Sequence, residues 1–269
     1  MEFIEAQDGA RIGYLDQGPK GADCVLWLQG LNAPAAAWAV QLAHFGQSCR
    51  SIAVEARGVG KSGAPQGSYT TQELAADAVA VLDVANVPRA HLVGLSLGGA
   101  AAQELALAHP ERVRTLALLG SFAAQAPRSR ALMESWRVLY PAVLPQHRAA
   151  WEQQAYAWLF SDKFWRSESN MRAALRFAGT QPPQSAAGFL GQLDAALSHD
   201  TRARLPGLKV PTLVLHGALD QLAPLAAGEE LARLIPGAQL VVLPEVGHAV
   251  NLEAQRQVHA CLRALWKRG

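Results

Sequence analysis

Cysteine is scarce in this 269-residue chain. Cys24, Cys49 and Cys261 are too few and too far apart for a disulfide framework, and neither C-x-x-C nor H-x-x-x-H occurs, so no metal site and no cofactor is expected. Neither sign of charge dominates: 24 Lys and Arg stand against 22 Asp and Glu, a net charge of +2. Basic residues come singly or in pairs, such as Lys267-Arg268, which leaves no electrostatic footprint for nucleic acid. No apolar run approaches the ~18 residues of a membrane span. The N-terminus, Met1-Glu2-Phe3-Ile4-Glu5, has no basic region followed by an apolar stretch, so the expectation is a cytoplasmic protein without a membrane partner. What the chain does have is apolar residues, 50% of it against 17% charged, enough to exclude disorder and to fill a large core.

That apolar content is organised. Cys24–Leu28, Ser51–Val54, His91–Val93, Val113–Leu119, Thr212–Leu215 and Gln239–Leu243 are short apolar runs that end in turn-forming residues, as strands buried on both faces do. Helical patterns lie between them: Glu73–Ala85, Leu97–Ala108, Leu222–Ile235 and Asn251–Trp266. This alternation predicts a mostly parallel sheet with helices on both faces. After Phe122 the strands stop until about Asp200. Helical patterns at Arg130–Tyr140, Ala149–Phe160 and Asn170–Gly179 fill the interval, which holds eleven of the chain's eighteen aromatic residues. Most of these rings are expected to pack the helices, and a minority to face a ligand.

The sharpest local signal is His91-Leu92-Val93-Gly94-Leu95-Ser96-Leu97-Gly98-Gly99, a G-x-S-x-G where a strand meets a small-residue helix. A serine at such a turn projects its hydroxyl from the carboxyl edge of the sheet, and flanking side chains would collide across the bend. The Leu97 N–H then opens the helix, where a developing oxyanion would be stabilised. The plainer reading is an ordinary Gly-Ser turn. A serine nucleophile needs a base and an orienting acid, in the order Ser, Asp or Glu, His, on loops after later strands. Asp220 follows the strand Thr212–Leu215 and His248 follows Gln239–Leu243, both at strand carboxyl ends. Two decoys share one segment. Gly58-x-Gly60-x-x-Gly63 fits a dinucleotide fingerprint but runs into Ala64-Pro65-Gln66-Gly67 instead of a helix, and Gly60-Lys61-Ser62 lacks the earlier glycine of a phosphate loop, where Glu55 stands.

On these residues the chain resembles the α/β-hydrolase family over nearly its whole length. The resemblance implies a mostly parallel eight-stranded sheet with a helical cap inserted after the sixth strand, the core being 1–121 and 201–269 and the cap 122–200. Trp27-Leu28-Gln29-Gly30-Leu31 is similar to the family's oxyanion loop, and Arg57-Gly58-Val59-Gly60-Lys61-Ser62 to its R-G-x-G-x-S segment. By that correspondence the N–H groups of Leu31 and Leu97 form the oxyanion hole, and Gln29, Phe122, Trp136, Trp158, Phe160 and Trp165 are candidates for the substrate pocket. The elbow and the close His199-Asp200-Thr201-Arg202…Leu205 through Pro211 look most like the enol-lactonase and carboxylesterase branch. Gln29 replaces the family's usual histidine, and Glu55 its usual aspartate. A glutamine amide can brace the loop, and Glu55 is expected to serve nearby backbone or Arg57 rather than catalysis.

The implied activity is hydrolysis of a carboxylic ester or lactone of a small apolar or aromatic substrate, by Ser96, His248 and Asp220, in a monomer or homodimer. Carbon–carbon hydrolysis of a vinylogous diketone is an alternative, although that branch carries an aromatic after the histidine where this chain has Ala249. A ligand-binding protein on a hydrolase scaffold is the reading from another class.

Overall fold

The computed structural model describes residues 1–269, the Pro145 side chain excepted. Eight strands form one sheet in the order β1-β2-β4-β3-β5-β6-β7-β8. They are β1 (Glu2–Glu5), β2 (Arg11–Gln17), β3 (Cys24–Leu28), β4 (Arg50–Glu55), β5 (Ala90–Leu95), β6 (Val113–Leu119), β7 (Thr212–Gly217) and β8 (Gln239–Leu243). From β4 to β8 all neighbours are parallel, while β1 and β2 join as an antiparallel hairpin on one edge. The sequence reading of individual strands passed over this hairpin. Its signal was Asp8-Gly9, the glycine adopting the left-handed φ of 82° that lets the chain reverse.

Period-two side-chain alternation distributes the central strands between two cores. In β3, Cys24, Leu26 and Leu28 enter one core while Val25 and Trp27 enter the other. β5 and β6 divide likewise: Leu92, Leu116 and Leu118 against Val93, Ala117 and Leu119. Helices α2 (Thr71–Val84) and α3 (Leu97–Ala108) cover the first face, and the second is closed by α1 (Ala39–Phe45) near the N-terminus together with the C-terminal helix. A helix this close to a sheet needs small residues, and α3 supplies them with Gly98, Gly99 and Ala100–Ala102, all buried.

Between β6 and β7 the chain leaves the sheet at Gly120 (φ 50°) and runs through α4 (Pro127–Leu159), α5 (Asp162–Trp165), α6 (Glu168–Thr180) and α7 (Ala186–Ser198). Its two ends meet at an antiparallel bridge between Ala124 and Asp200, and Thr201 N–H donates to Ala123 O at 2.9 Å. The two helices expected at 130–140 and 149–160 are the two helical stretches of α4, which meet at a kink where His147 leaves the helical conformation (φ −134°, ψ 44°). α7 had no counterpart in the sequence reading. After β7 come α8 (Leu225–Leu234), α9 (Val250–Glu253) and α10 (Gln255–Trp266), so the expected helix 251–266 is broken at Ala254. Among the described residues no helix is long and apolar enough to cross a membrane.

Two polar clusters stiffen the loops beneath the sheet's carboxyl edge. Arg57 is buried, its Nε and Nη2 donating to the two oxygens of Asp77 at 2.7 and 2.8 Å and its Nη1 to Asp8 at 2.8 Å. The bonds to Asp77 push its pKa above the ordinary guanidinium value. Glu55 instead serves backbone, accepting from Ala35 N–H at 3.1 Å and Lys61 N–H at 2.6 Å, and it does not pair with Arg57. Removing Asp77 leaves a buried guanidinium half-compensated. Asp77→Ala is expected to cost about 3–5 kcal/mol of unfolding free energy, read from urea denaturation.

Burial also pushes the imidazoles of His91, His199 and His259 down to about 4. They stay neutral in the folded protein while the unfolded chain takes up protons below its ordinary value near 6.5. Their contribution is therefore whole above that value and lost as pH falls toward 4. Stability in urea is expected to drop between pH 7 and 5, at up to about 1.4 kcal/mol per pH unit for each histidine.

Candidate active site

Ser96 stands at the junction of β5 and α3 with φ 53° and ψ −119°, a conformation a non-glycine residue adopts at a cost of roughly 1–3 kcal/mol. Its neighbours hold it there. The Ser96 N–H donates to Leu119 O at 2.9 Å, and Ser96 O accepts from Ser121 Oγ at 2.9 Å and Ala100 N–H at 3.1 Å. The turn also requires glycine on both sides. A Cβ at Gly94 would overlap the backbone of Gly98 and Gly99, and one at Gly98 the carbonyls of Leu28 and Gln29. Ser121 was missed in the sequence because a serine two residues past a strand carries no pattern of its own.

The acid and the histidine meet at the ends of β7 and β8. Asp220 Oδ1 accepts from the N–H groups of Leu222 and Ala223 at 2.9 and 2.8 Å, which fixes the carboxylate, and Oδ2 lies 2.7 Å from His248 Nδ1. With Nδ1–H donating to Asp220, His248 presents Nε2 to the cavity that Ser96 also lines. No hydrogen bond joins Ser96 to His248 among the described residues. His216 lies behind the carboxylate, Nε2 at 2.7 Å from Ala223 O and 3.5 Å from Asp220 Oδ2. Burial pushes its pKa down, so it is neutral and Nε2–H donates to the carbonyl.

The loop after β3 approaches Ser96 from the other side, a Cβ on Gly30 falling 3.2 Å from the Ser96 Cβ. Its N–H groups are distributed one by one. Gly30 N–H donates to the side chain of Gln29 at 2.9 Å and Asn32 N–H to Gln192 Oε1 at 3.0 Å. The Leu31 N–H between them has no hydrogen-bond partner among the described residues, and neither has that of Leu97 at the start of α3. Asn32 holds a left-handed φ of 61°, which completes the bend.

Ser96, His248, Leu31 and Leu97 line one cavity of about 460 Å³. Its far wall comes from the helices between β6 and β7. Tyr140 stacks on Phe189 at 3.7 Å, Trp151 meets Tyr140 edge-on at 4.9 Å, and Phe160 stacks on Phe164 at 4.0 Å. Gln29, Phe122, Trp136 and Phe160 lie in the lining. Trp158 and Trp165 do not. Trp158 sits instead under the Arg128 guanidinium, 5.6 Å from the ring centroid, and Tyr140, Trp151, Phe164, Phe177 and Phe189 take places the sequence did not single out. Which face of each of these helices turns inward follows from the bend and crossing of α4, which residue spacing does not disclose.

A model of the alpha/beta hydrolase fold family matches residues 23–255. The chain is 28% identical to 3-oxoadipate enol-lactonase 2 of Acinetobacter baylyi, over 99% of this chain and 97% of that protein. It is 32% identical to 2-hydroxymuconate semialdehyde hydrolase of Pseudomonas putida, over 91% and 86% of the two chains. The crystal structure of the enol-lactonase from Burkholderia xenovorans superimposes with a TM-score of 0.87 at 25% identity, covering 99% of this chain and all of that one. The matched span carries the six parallel strands, the elbow and both later loops, and the chain belongs to the alpha/beta hydrolase fold family.

Proposed function

We propose that the protein is a serine hydrolase that cleaves a carboxylic ester or lactone of a small, largely apolar or aromatic substrate through an acyl-enzyme. The observation that carries this reading is the placement of Ser96 at a strained elbow in the same cavity as a histidine whose Nδ1 is held by a carboxylate at 2.7 Å.

In this reaction His248 Nε2 takes the proton of Ser96 Oγ as the oxygen attacks the carbonyl carbon. Asp220 keeps the imidazole in the required tautomer and stabilises its charged form. The carbonyl π pair moves onto oxygen, which the Leu31 and Leu97 N–H groups receive, each donor contributing a few kcal/mol. Collapse expels the alkoxide, protonated by His248, and water activated by the same ring releases the acid. Residues 122–200 act as the cap, and their rings select an apolar acyl or alcohol group by burying it. The enol-lactonase relative supports the lactone side of this assignment.

The semialdehyde hydrolase relative keeps carbon–carbon hydrolysis as the second reading, on the same three groups. Turnover of a panel of aryl esters, aliphatic and enol lactones, and a vinylogous diketone separates the two. Esters or lactones are expected to be hydrolysed and the diketone left intact; the reverse pattern overturns the assignment. Ser96→Ala is expected to leave less than about 1% of wild-type turnover of a p-nitrophenyl ester, and Asp220→Asn to lower kcat by about 10³–10⁴. A folded protein in which a fluorophosphonate fails to label Ser96 would be a binder, not an enzyme.

A further inference from the structure

We infer that Glu253 is a positioning residue for His248, clamping the histidine loop to the junction of α4 and α5; the inference rests on His248 acting as the base proposed above. Glu253 ends α9, and its half-buried carboxylate turns back over the chain that precedes the helix. Oε1 accepts from the N–H of Gly247 at 3.1 Å and from the N–H of Ser161 at 3.1 Å, and Oε2 accepts from the Ser161 hydroxyl. Three donors converge, and only an acceptor side chain satisfies them.

The position of these donors gives the cluster its consequence. Gly247 is the residue immediately before His248. On the other side, the Ala249 N–H donates to Leu159 O at 3.0 Å. Both residues flanking the histidine are therefore fastened to residues 159–161, at the end of α4 and the cap of α5. Asp220 orients the ring, while this clamp sets the backbone from which the ring extends. The approach is close enough to require glycine, since a Cβ at 247 would stand 2.9 Å from both Leu159 O and Ser161 N and 2.8 Å from the Glu253 carboxylate. Phe160 and Phe164, on either side of Ser161, stack on each other and line the cavity. Glu253 thereby fixes the histidine relative to the aromatic wall as well as to Ser96. The Ala249–Leu159 bond alone would remain if the carboxylate were removed. A displacement of about 1 Å in a reacting group can cost up to about 100-fold in rate.

The test uses the full chain and three readouts: kcat and KM on a p-nitrophenyl ester, the end point of Ser96 labelling by a fluorophosphonate, and the low-field proton resonance of His248 Nδ1–H, assigned by its absence in His248→Ala. The labelling end point counts competent sites, so a loss of folded protein is separated from a loss of positioning. Glu253→Ala is expected to lower kcat per labelled site by about 10- to 100-fold with KM changed less than about threefold, and to broaden or abolish the resonance. Glu253→Gln is expected to recover most of the rate and to keep the resonance, because its amide oxygen can accept from both N–H groups and its amide nitrogen can donate to the Ser161 hydroxyl. A Glu253→Ala protein with wild-type kcat per site and an unchanged resonance overturns the inference. Should that variant not fold, Ser161→Ala is read in the same way, a severalfold loss per labelled site supporting the clamp and an unchanged rate overturning it. Absence of labelling and turnover in the wild type would defeat the hydrolase reading instead, and the resonance would still report whether Glu253 places His248.

Discussion

The arrangement around Ser96 depends on how closely three backbones approach one another. The β5–α3 turn, the loop after β3 and the exit of β6 meet where there is no room for a Cβ at Gly94 or Gly98 and little at Gly30. The left-handed conformation of Ser96 survives because Leu119 and Ser121, both from β6 or its exit, hold the two ends of its peptide. Strain of this kind persists only where surrounding structure over-determines it. The apolar sheet supplies that rigidity: β3, β5 and β6 are buried on both faces, and their ends cannot drift independently.

The same economy governs the loop N–H groups. Gly30 and Asn32 have their donors taken by Gln29 and Gln192, which leaves the Leu31 N–H between them without a partner among the described residues. Gln29, where the family resemblance implies histidine, accepts the Gly30 N–H through its amide oxygen. On the proposed reading the substitution alters what holds the loop and leaves its free donor intact.

Legibility in the sequence followed chemistry rather than distance. Ser96, Asp220 and His248 could be named because strand ends, order and residue type all constrain them. The parallel strands could be read because two-sided burial writes a continuous apolar run. The β1–β2 hairpin was passed over because Glu2, Glu5 and Arg11 give it an exposed, charged character despite the Asp8-Gly9 turn. Trp158 and Trp165 were indistinguishable from Trp136 in one dimension; a bend at His147 and the packing of α4 on α7 decide which rings reach the cavity. For Glu55 the sequence leaves backbone and Arg57 as equal partners; it serves backbone, because Arg57 is taken by Asp77 on α2. Glu253 and Gln192 act across 92 and 160 residues of chain, and no local pattern announces a contact of that range.

Those two long-range contacts explain why the helices between β6 and β7 do not form an appendage. Gln192 on α7 accepts from Asn32 N–H through Oε1 and donates through Nε2 to Arg57 O at 2.8 Å, so the loop after β3 and the loop after β4 are tied to this segment. At its other end, Leu159 and Ser161 hold the histidine loop. The helical segment therefore grips both sides of the cavity that Ser96 lines, in addition to roofing it with aromatic rings. A change in how α4 meets α7 would alter the spacing between the unpaired Leu31 donor and the His248 ring, not merely the shape of the pocket. On the proposed reading, substrate selectivity and catalytic geometry are thus coupled through the same residues.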